Sequence, residues 1–368
     1  MEENQYRKNA YDMIELVRCA VSGEICDKNR IAEMHLDEIF KISQEHILSA
    51  CVAYGLEASG IKQHDFIQAK EKAIRKNILL DAERGNILRR LEQEKIWYMP
   101  LKGSILKDWY PKLGMRQMSD NDILCEGTAR PRIKEIMLEM GFTCKHFGKE
   151  SDDAYYKPPV FNFEMHGELF WLTHTGLYEY YADVKNRLLK DEGNDYGYHF
   201  RTEDFYLYLT AHEYKHYIAG GTGIRSLLDT YIFMKKFGDS LDWDYMNAEL
   251  EKLGIADYEK QSRQLALSLF SGKTLTKEEA RMLDYYIFSG IYGTLENRVE
   301  NKIEKGSKAN YIFRRLFPTM KEIQVHWPFF YRHKYLIPVL LIARPIRGLI
   351  VHREKVRNEI KYLMQSKK

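Results

Sequence analysis

Met99-Pro100-Leu101-Lys102-Gly103-Ser104, followed by Gly114-Met115-Arg116-Gln117-Met118-Ser119-Asp120-Asn121-Asp122-Ile123-Leu124, is the stretch on which the fold turns. The apolar run from Ile96 reads as a strand that ends in Gly103-Ser104, where a helical segment to Tyr110 begins. Glycine there lets a ligand approach the backbone, and helix N-terminal amides with a serine hydroxyl can hold a phosphate. Asp120 and Asp122 then open a second strand. Residues two apart share one face of a strand, so both carboxylates point the same way. Two carboxylates that close repel unless a divalent cation lies between them, and Mg²⁺ held by carboxylates and substrate phosphates suits the pattern.

Further along, Phe161-Asn162-Phe163-Glu164-Met165-His166 alternates cleanly. Phe161, Phe163 and Met165 face one way; Asn162, Glu164 and His166 face the other. Glu164 is thereby the candidate third acid, with Glu168 and Asp183 also available. Around this block the texture changes twice. Residues 1–95 read as helical: Leu36, Ile39, Phe40, Ile47 and Cys51 share one helix face interrupted by Ser43, and a second helical pattern runs from Ile67 to Leu91. Residues 96–175 carry the short strand-like runs IWYMPL (96–101), NDILCEG (121–127), FTCKHF (142–147), AYYK (154–157) and VFNFEMHGEL (160–169), with a helix predicted over 128–140. In residues 176–368 helices return. Thr202 is a candidate N-cap for a run through Ile218, and Gly220, Gly221 and Gly223 mark a helix–helix turn. The expected class is α+β: a small mixed sheet between helical N-terminal and C-terminal regions, the latter forming the other wall of a cleft.

LKGS (101–104), then Tyr110-Pro111, then GMRQMSDNDIL (114–124) resembles the nucleotidyltransferase superfamily with a DNA polymerase β-like palm. More narrowly, it resembles the bacterial "uncharacterised nucleotidyltransferase" family, with its KG, YP, R and D-x-D signature. Glu164-Met165-His166 matches that family's acid-x-His strand, His212 to His216 its H-x-x-x-H helix, and Gly223, Arg225 and Asp229 a G-x-R-x-x-x-D helix start. The resemblance covers about residues 85–345. It implies that Gly103 and Ser104, helped by Lys102 and Arg116, bind the triphosphate of an NTP such as ATP. It further implies that Asp120, Asp122 and Glu164 bind two Mg²⁺ (or Mn²⁺) ions. An acceptor hydroxyl on a small molecule, a protein or RNA would then attack the α-phosphate and release pyrophosphate. The gap from Ser104 to Asp120 is longer than the commonest superfamily spacing, and the third acid is Glu rather than Asp.

Competing readings attach to the same residues. Arg116 could pair with Asp120, Lys102 could be a solvated strand-end lysine, and Arg225 and Asp229 could pair at i, i+4 on a helix. His212-Glu213-Tyr214-Lys215-His216 is a literal H-E-x-x-H, which on a helix presents two histidines for zinc, with Asp229 or Glu249 as third ligand. A nucleotide-binding module without turnover and a metal-dependent sugar transferase complete the alternatives.

Composition bounds the rest. In 368 residues, 45% hydrophobic and 13% aromatic content suffices for a core and excludes general disorder, and a net charge of +3 gives no global case for nucleic-acid binding. Residues 344–368 nevertheless sum to +6, a basic tail that reads as a solvated helix or an RNA contact. Cys19, Cys26, Cys51, Cys125 and Cys144 are odd in number and widely spaced, which reads as reduced thiols. The polar N-terminus is not a signal peptide, and the longest apolar run, residues 335–343, is too short to span a bilayer; a cytoplasmic protein is expected.

Overall fold

The computed structural model describes residues 3–148, 151–290, 307–351 and 353–365, with 293, 294, 297, 299, 301 and 303 between them. Five helices come first: α1 (Glu3–Ser22), α2 (Lys28–Ala32), α3 (Leu36–Glu45), α4 (Ser49–Ala58) and α5 (His64–Gln93). The single amphipathic helix predicted from Leu36 onward is cut in two at residues 46–48. Ile47 takes φ +53°, and the Ser43 and Ser49 hydroxyls meet at 2.8 Å across the break. His46, fully buried there, accepts from the Ile224 amide through Nδ1 at 3.2 Å. The break thus trades helical continuity for a tie to a helix nearly 180 residues on.

Cys19 and Cys26 form a disulfide with Cα atoms 6.0 Å apart, while Cys51, Cys125 and Cys144 are free. This corrects the expectation of five reduced thiols. The chain reverses after α1 at Gly23, φ +80°, and it is that reversal which brings the sulfurs together.

β1 (Tyr98–Pro100), β2 (Asn121–Cys125), β3 (Thr143–His146), β4 (Asp152–Lys157) and β5 (Phe161–His166) form one mixed sheet in the order β1-β2-β5-β4-β3. β2 and β5 are parallel; the other neighbours are antiparallel. Between them lie the short α6 (Gly103–Leu106) and α7 (Arg130–Glu139). The period-two pattern divides the sheet as expected. Ile123, Cys125, Phe163 and Met165 are buried with Leu80, Ile87 and Leu91 of α5 and Ile133 and Ile136 of α7. The opposite face carries Asp122, Glu164 and His166, and its apolar members Met99, Leu101 and Leu124 pack with the helices that follow.

Those are α8 (Thr175–Tyr180), α9 (Thr202–Ile218), α10 (Ile224–Phe237), α11 (Trp243–Leu253), α12 (Ala256–Phe270) and α13 (Lys277–Ser289). One element was not legible: β6 (Leu188–Lys190) and β7 (Tyr198–Phe200) make a hairpin in a stretch expected to be helical. Its register is fixed from outside, since the Tyr98 amide donates to the Tyr196 carbonyl at 2.9 Å. Thr202 is the first helical residue of α9, and the capping position falls one earlier, on Arg201. The glycine turn does join α9 to α10. Gly221 has φ +122°, and a Cβ there would lie 2.1 Å from the Ser289 hydroxyl, so only glycine fits. α1, α3 and α4 share one core with α10, α12 and α13, so the N-terminal and C-terminal helices are not separate bodies of packing.

The chain ends in α14 (Lys308–Leu316), α15 (Met320–His326), α16 (Pro328–Arg332), α17 (Ile337–Val351) and α18 (Arg353–Gln365). Of the basic tail, His352, Ser366, Lys367, Lys368 and the side chain of Lys355 lie outside the described residues. No helix among the described residues is long and apolar enough to cross a membrane.

Candidate functional site

The parallel register sets Asp122 directly beside Glu164, and Leu124 beside His166. One strand contributes an acid at its first turn from the loop, Asp120, and another inside the ladder, Asp122. These residues line a cleft of about 460 Å³ whose floor is the sheet and whose far wall is α9 and α10. Ligand-capable atoms of Asp122, Glu164 and His166 all lie within 4.8 Å of one another. The acids that the strand alternation predicts to be neighbours are therefore brought together.

Their charges are only partly balanced. Lys102 Nζ donates to Asp122 Oδ1 at 2.7 Å, and His166 Nε2 donates to the same oxygen at 2.9 Å. Burial opposes ionisation of Asp122, but the lysine charge and the histidine bond outweigh it and hold its carboxyl below the usual range. Glu164 has no such support. Burial, then the charges of Asp122 and Asp120, push it up to about 8. Burial and Asp122 raise Asp120 as well. Ionising all three carboxylates beside Lys102 would leave a surplus of negative charge on the sheet wall. A hard divalent cation matches that surplus, because oxygen donors predominate and His166 already spends Nε2 on Asp122.

Lys102 is not a solvated lysine. Its side chain is 16% exposed, and its backbone has φ +49°, a left-handed conformation that costs about 1 kcal/mol or more for a residue with a Cβ. That bend, at the junction of β1 and α6, aims the ammonium at Asp122. Gly103 beside it is required by contact. A Cβ there would sit 2.1 Å from Arg116 Nη1, so the glycine makes room for a guanidinium. Ser104 is buried, donates its hydroxyl to the Leu101 carbonyl at 2.7 Å, and is not among the residues lining the cleft.

Arg116 is placed differently from either expectation. Its Nε and Nη2 donate to the two oxygens of Asp229, each at 2.8 Å, and Tyr110 donates to Asp229 Oδ1 at 2.7 Å. The partner is Asp229 of α10 rather than Asp120, and the guanidinium fork is closed rather than open to a triphosphate. The Tyr110, Arg116 and Asp229 motif positions are thus one buried network clamping the sheet's loop to α10. Arg225 does not pair with Asp229; its Nη1 donates to the Gln117 carbonyl at 3.4 Å and it lines the cleft.

The helical wall supplies a cation that the motif reading did not single out. Lys215 lies in the cleft, with burial and the Lys102 charge lowering it to about 8. His212 and His216 face each other, Nε2 to Nε2, at 3.3 Å; burial foremost lowers the half-buried His212, while His216 lines the cleft with its outer side exposed. Asp152, paired with His146 at 2.9 Å, closes the sheet side. The packing of α9 on the sheet turns His212, Lys215 and His216 toward the acids.

This geometry speaks against the zinc reading of H-E-x-x-H. Among the described residues no third acid, cysteine or histidine converges on His212 and His216. Asp229 is held by Arg116 and Tyr110, and Glu249 by Tyr180, Arg187 and Lys252. Glu213 accepts from the Tyr286 hydroxyl at 2.8 Å, in a buried tyrosine cluster.

No curated protein and no solved structure matches the chain. A family model, described as uncharacterised nucleotidyltransferase, matches residues 32–271, which contain every acid of the cleft, Lys102, Arg116 and the α9–α10 wall. With that match over more than half of its length, the chain belongs to the uncharacterised nucleotidyltransferase family.

Proposed function

We propose that the protein transfers a nucleotidyl group from an NTP to an acceptor hydroxyl. Family membership supports a general role in nucleotidyl transfer. The observation that carries the finer reading is the register Asp122–Glu164, which builds an acid pair on the sheet directly below a cationic helical wall. Mg²⁺ or Mn²⁺ bound by Asp120, Asp122 and Glu164 would neutralise the triphosphate and favour ionisation of the acceptor hydroxyl. The chain's own groups do the rest. Lys102 and His166 fix the Asp122 carboxylate in one orientation, which keeps its second oxygen available in the cleft. Lys215 and Arg225, which line the cleft, would meet phosphate oxygens, while Arg116 is engaged by Asp229 and clamps the two walls together. Glu164, 28% exposed and directly beside Asp122, is the carboxylate we assign to the acceptor's proton.

A nucleotide-binding module without turnover is the second reading, favoured by the inward turn of the Ser104 hydroxyl. Incubation with labelled NTPs and Mg²⁺ or Mn²⁺ separates the two. Label transfer that Asp120→Asn, Asp122→Asn abolishes supports the transferase. A thermal shift with an NTP but no product supports the module, and no shift with any NTP overturns both.

A further inference from the structure

The last five helices differ from the rest of the chain in what they leave in water. Among the described residues, 13 of 19 exposed large hydrophobic side chains lie between residues 308 and 365. The clearest run is on α17, where Val339, Ile342, Ile346 and Ile350 are 54%, 67%, 52% and 74% exposed. Spacings of three, four and four put them in one stripe along the outer face, while Leu340 on the other side is 4% exposed and packs inward. α18 continues with Ile360 and Met364 exposed, on a helix that also carries Arg353, Arg357 and Lys361.

The same segment carries the charge. Residues 308–368 hold 14 Lys and Arg against 3 Glu, a net +11, which leaves the first 307 residues at −8. Beside the stripe is a cavity of about 820 Å³ lined by Arg314, Arg315, Arg344, Arg347 and Trp327. Arg315 is matched by Glu359 at 3.0 Å, but Arg344 Nη1 is buried without a hydrogen-bond partner. The stripe and the cavity adjoin at Ala343 and Arg347.

We propose that this surface docks on an anionic lipid bilayer, with the aliphatic stripe entering the interface and the arginines meeting lipid phosphates. The occupant must offer apolar volume and negative charge together. A second copy brings +11 against +11 and is repelled. A nucleic acid offers phosphates and base faces, which suit aromatic and guanidinium groups but give Val339, Ile342, Ile346 and Ile350 nothing to enter. A basic helix with an apolar face, too short to span, lies in the headgroup region of a bilayer.

The test uses the full-length protein in flotation with vesicles of phosphatidylcholine plus phosphatidylglycerol, against phosphatidylcholine alone. Binding to the anionic vesicles only, weakened by salt, is expected. The exposed-site variant Ile342→Asn, Ile346→Asn, Ile350→Asn should bind at least about tenfold more weakly. Arg347→Glu and Arg353→Glu should each cost about fivefold or more. Unchanged melting of these variants confirms that the fold is intact. No binding to anionic vesicles overturns the proposal. So does equal vesicle binding by the isoleucine variant and wild type with full displacement by single-stranded RNA, or a wild-type dimer that the variant converts to monomer without any vesicle binding.

Discussion

Asp229 and Glu164 stand on opposite walls of one cleft under opposite conditions. On the helical wall, Asp229 accepts two bonds from a guanidinium and one from a phenol. On the sheet wall, Glu164 has two acids for neighbours, and Lys102 spends its hydrogen bond on Asp122. The first arrangement is what a buried charge needs to be tolerated. The second is unfavourable as it stands and becomes favourable when a cation arrives. The comparison separates the clamp from the chemistry: Arg116 and Asp229 hold the cleft's shape, while Asp120, Asp122 and Glu164 keep charge in reserve.

The sharpest break should come from the sheet wall. Asp122→Asn is expected to reduce label transfer by about a thousandfold or more, because it removes the carboxylate that the register places beside Glu164. Single-turnover rates with labelled NTP check this. Retained transfer within a few-fold of wild type would move the chemistry elsewhere in the cleft.

Asp229→Asn should act on stability instead, lowering it by about 3–5 kcal/mol in denaturant titration, since Arg116 is then buried without a counter-charge. Replacing both partners, Arg116→Met with Asp229→Leu, should restore most of the loss. If Asp229→Asn cost little stability but abolished transfer, the clamp would belong with the reacting groups.

pH separates two further buried groups. Burial pushes Glu213 up from 4.5 to about 7, so the folded state keeps a proton that the unfolded chain releases, and this carboxyl subtracts stability as pH rises from 4.5 through 7. Burial lowers His46 from 6.5 to about 4, so the unfolded chain takes up a proton that the folded state refuses, and stability is lost as pH falls from 6.5 toward 4. Each effect is about 3 kcal/mol and their signs oppose. Wild type should therefore be nearly flat between pH 4.5 and 6.5 with respect to these two groups. Glu213→Gln should unmask the histidine, giving stability that rises with pH across that window; denaturant midpoints at several pH values measure it.

What was legible in the sequence followed from local period. Alternation in 161–166 put Phe163 and Met165 in the core and Glu164 in the cleft, and Asp120 and Asp122 declared themselves by spacing. What was not legible depended on residues far apart. Arg116 meets Asp229 across 113 positions, the break at Ile47 answers to Ile224, and the β6–β7 hairpin is registered by Tyr98. The Cys19–Cys26 pair escaped for a related reason, because neither count nor spacing reveals a chain reversal. The motif residues were read without their long-range partners: Gly103 makes room for Arg116, and Tyr110 donates to Asp229.

The smallest expected effect tests that last point. Tyr110→Phe deletes one hydroxyl that donates to Asp229 Oδ1, an oxygen that still accepts from Arg116 Nε. The carboxylate keeps its counter-charge, so the loss should be about 1–2 kcal/mol, the scale of one buried bond to a charged acceptor, and well below that of Asp229→Asn. Transfer rates should stay within a few-fold, because Asp120, Asp122 and Glu164 keep their partners. In the double variant Tyr110→Phe, Asp229→Asn the two losses should sum to less than their separate values, since both act through one oxygen. Full additivity in denaturant titration would show that Tyr110 stabilises the fold by packing against α4 and α10 and not through Asp229.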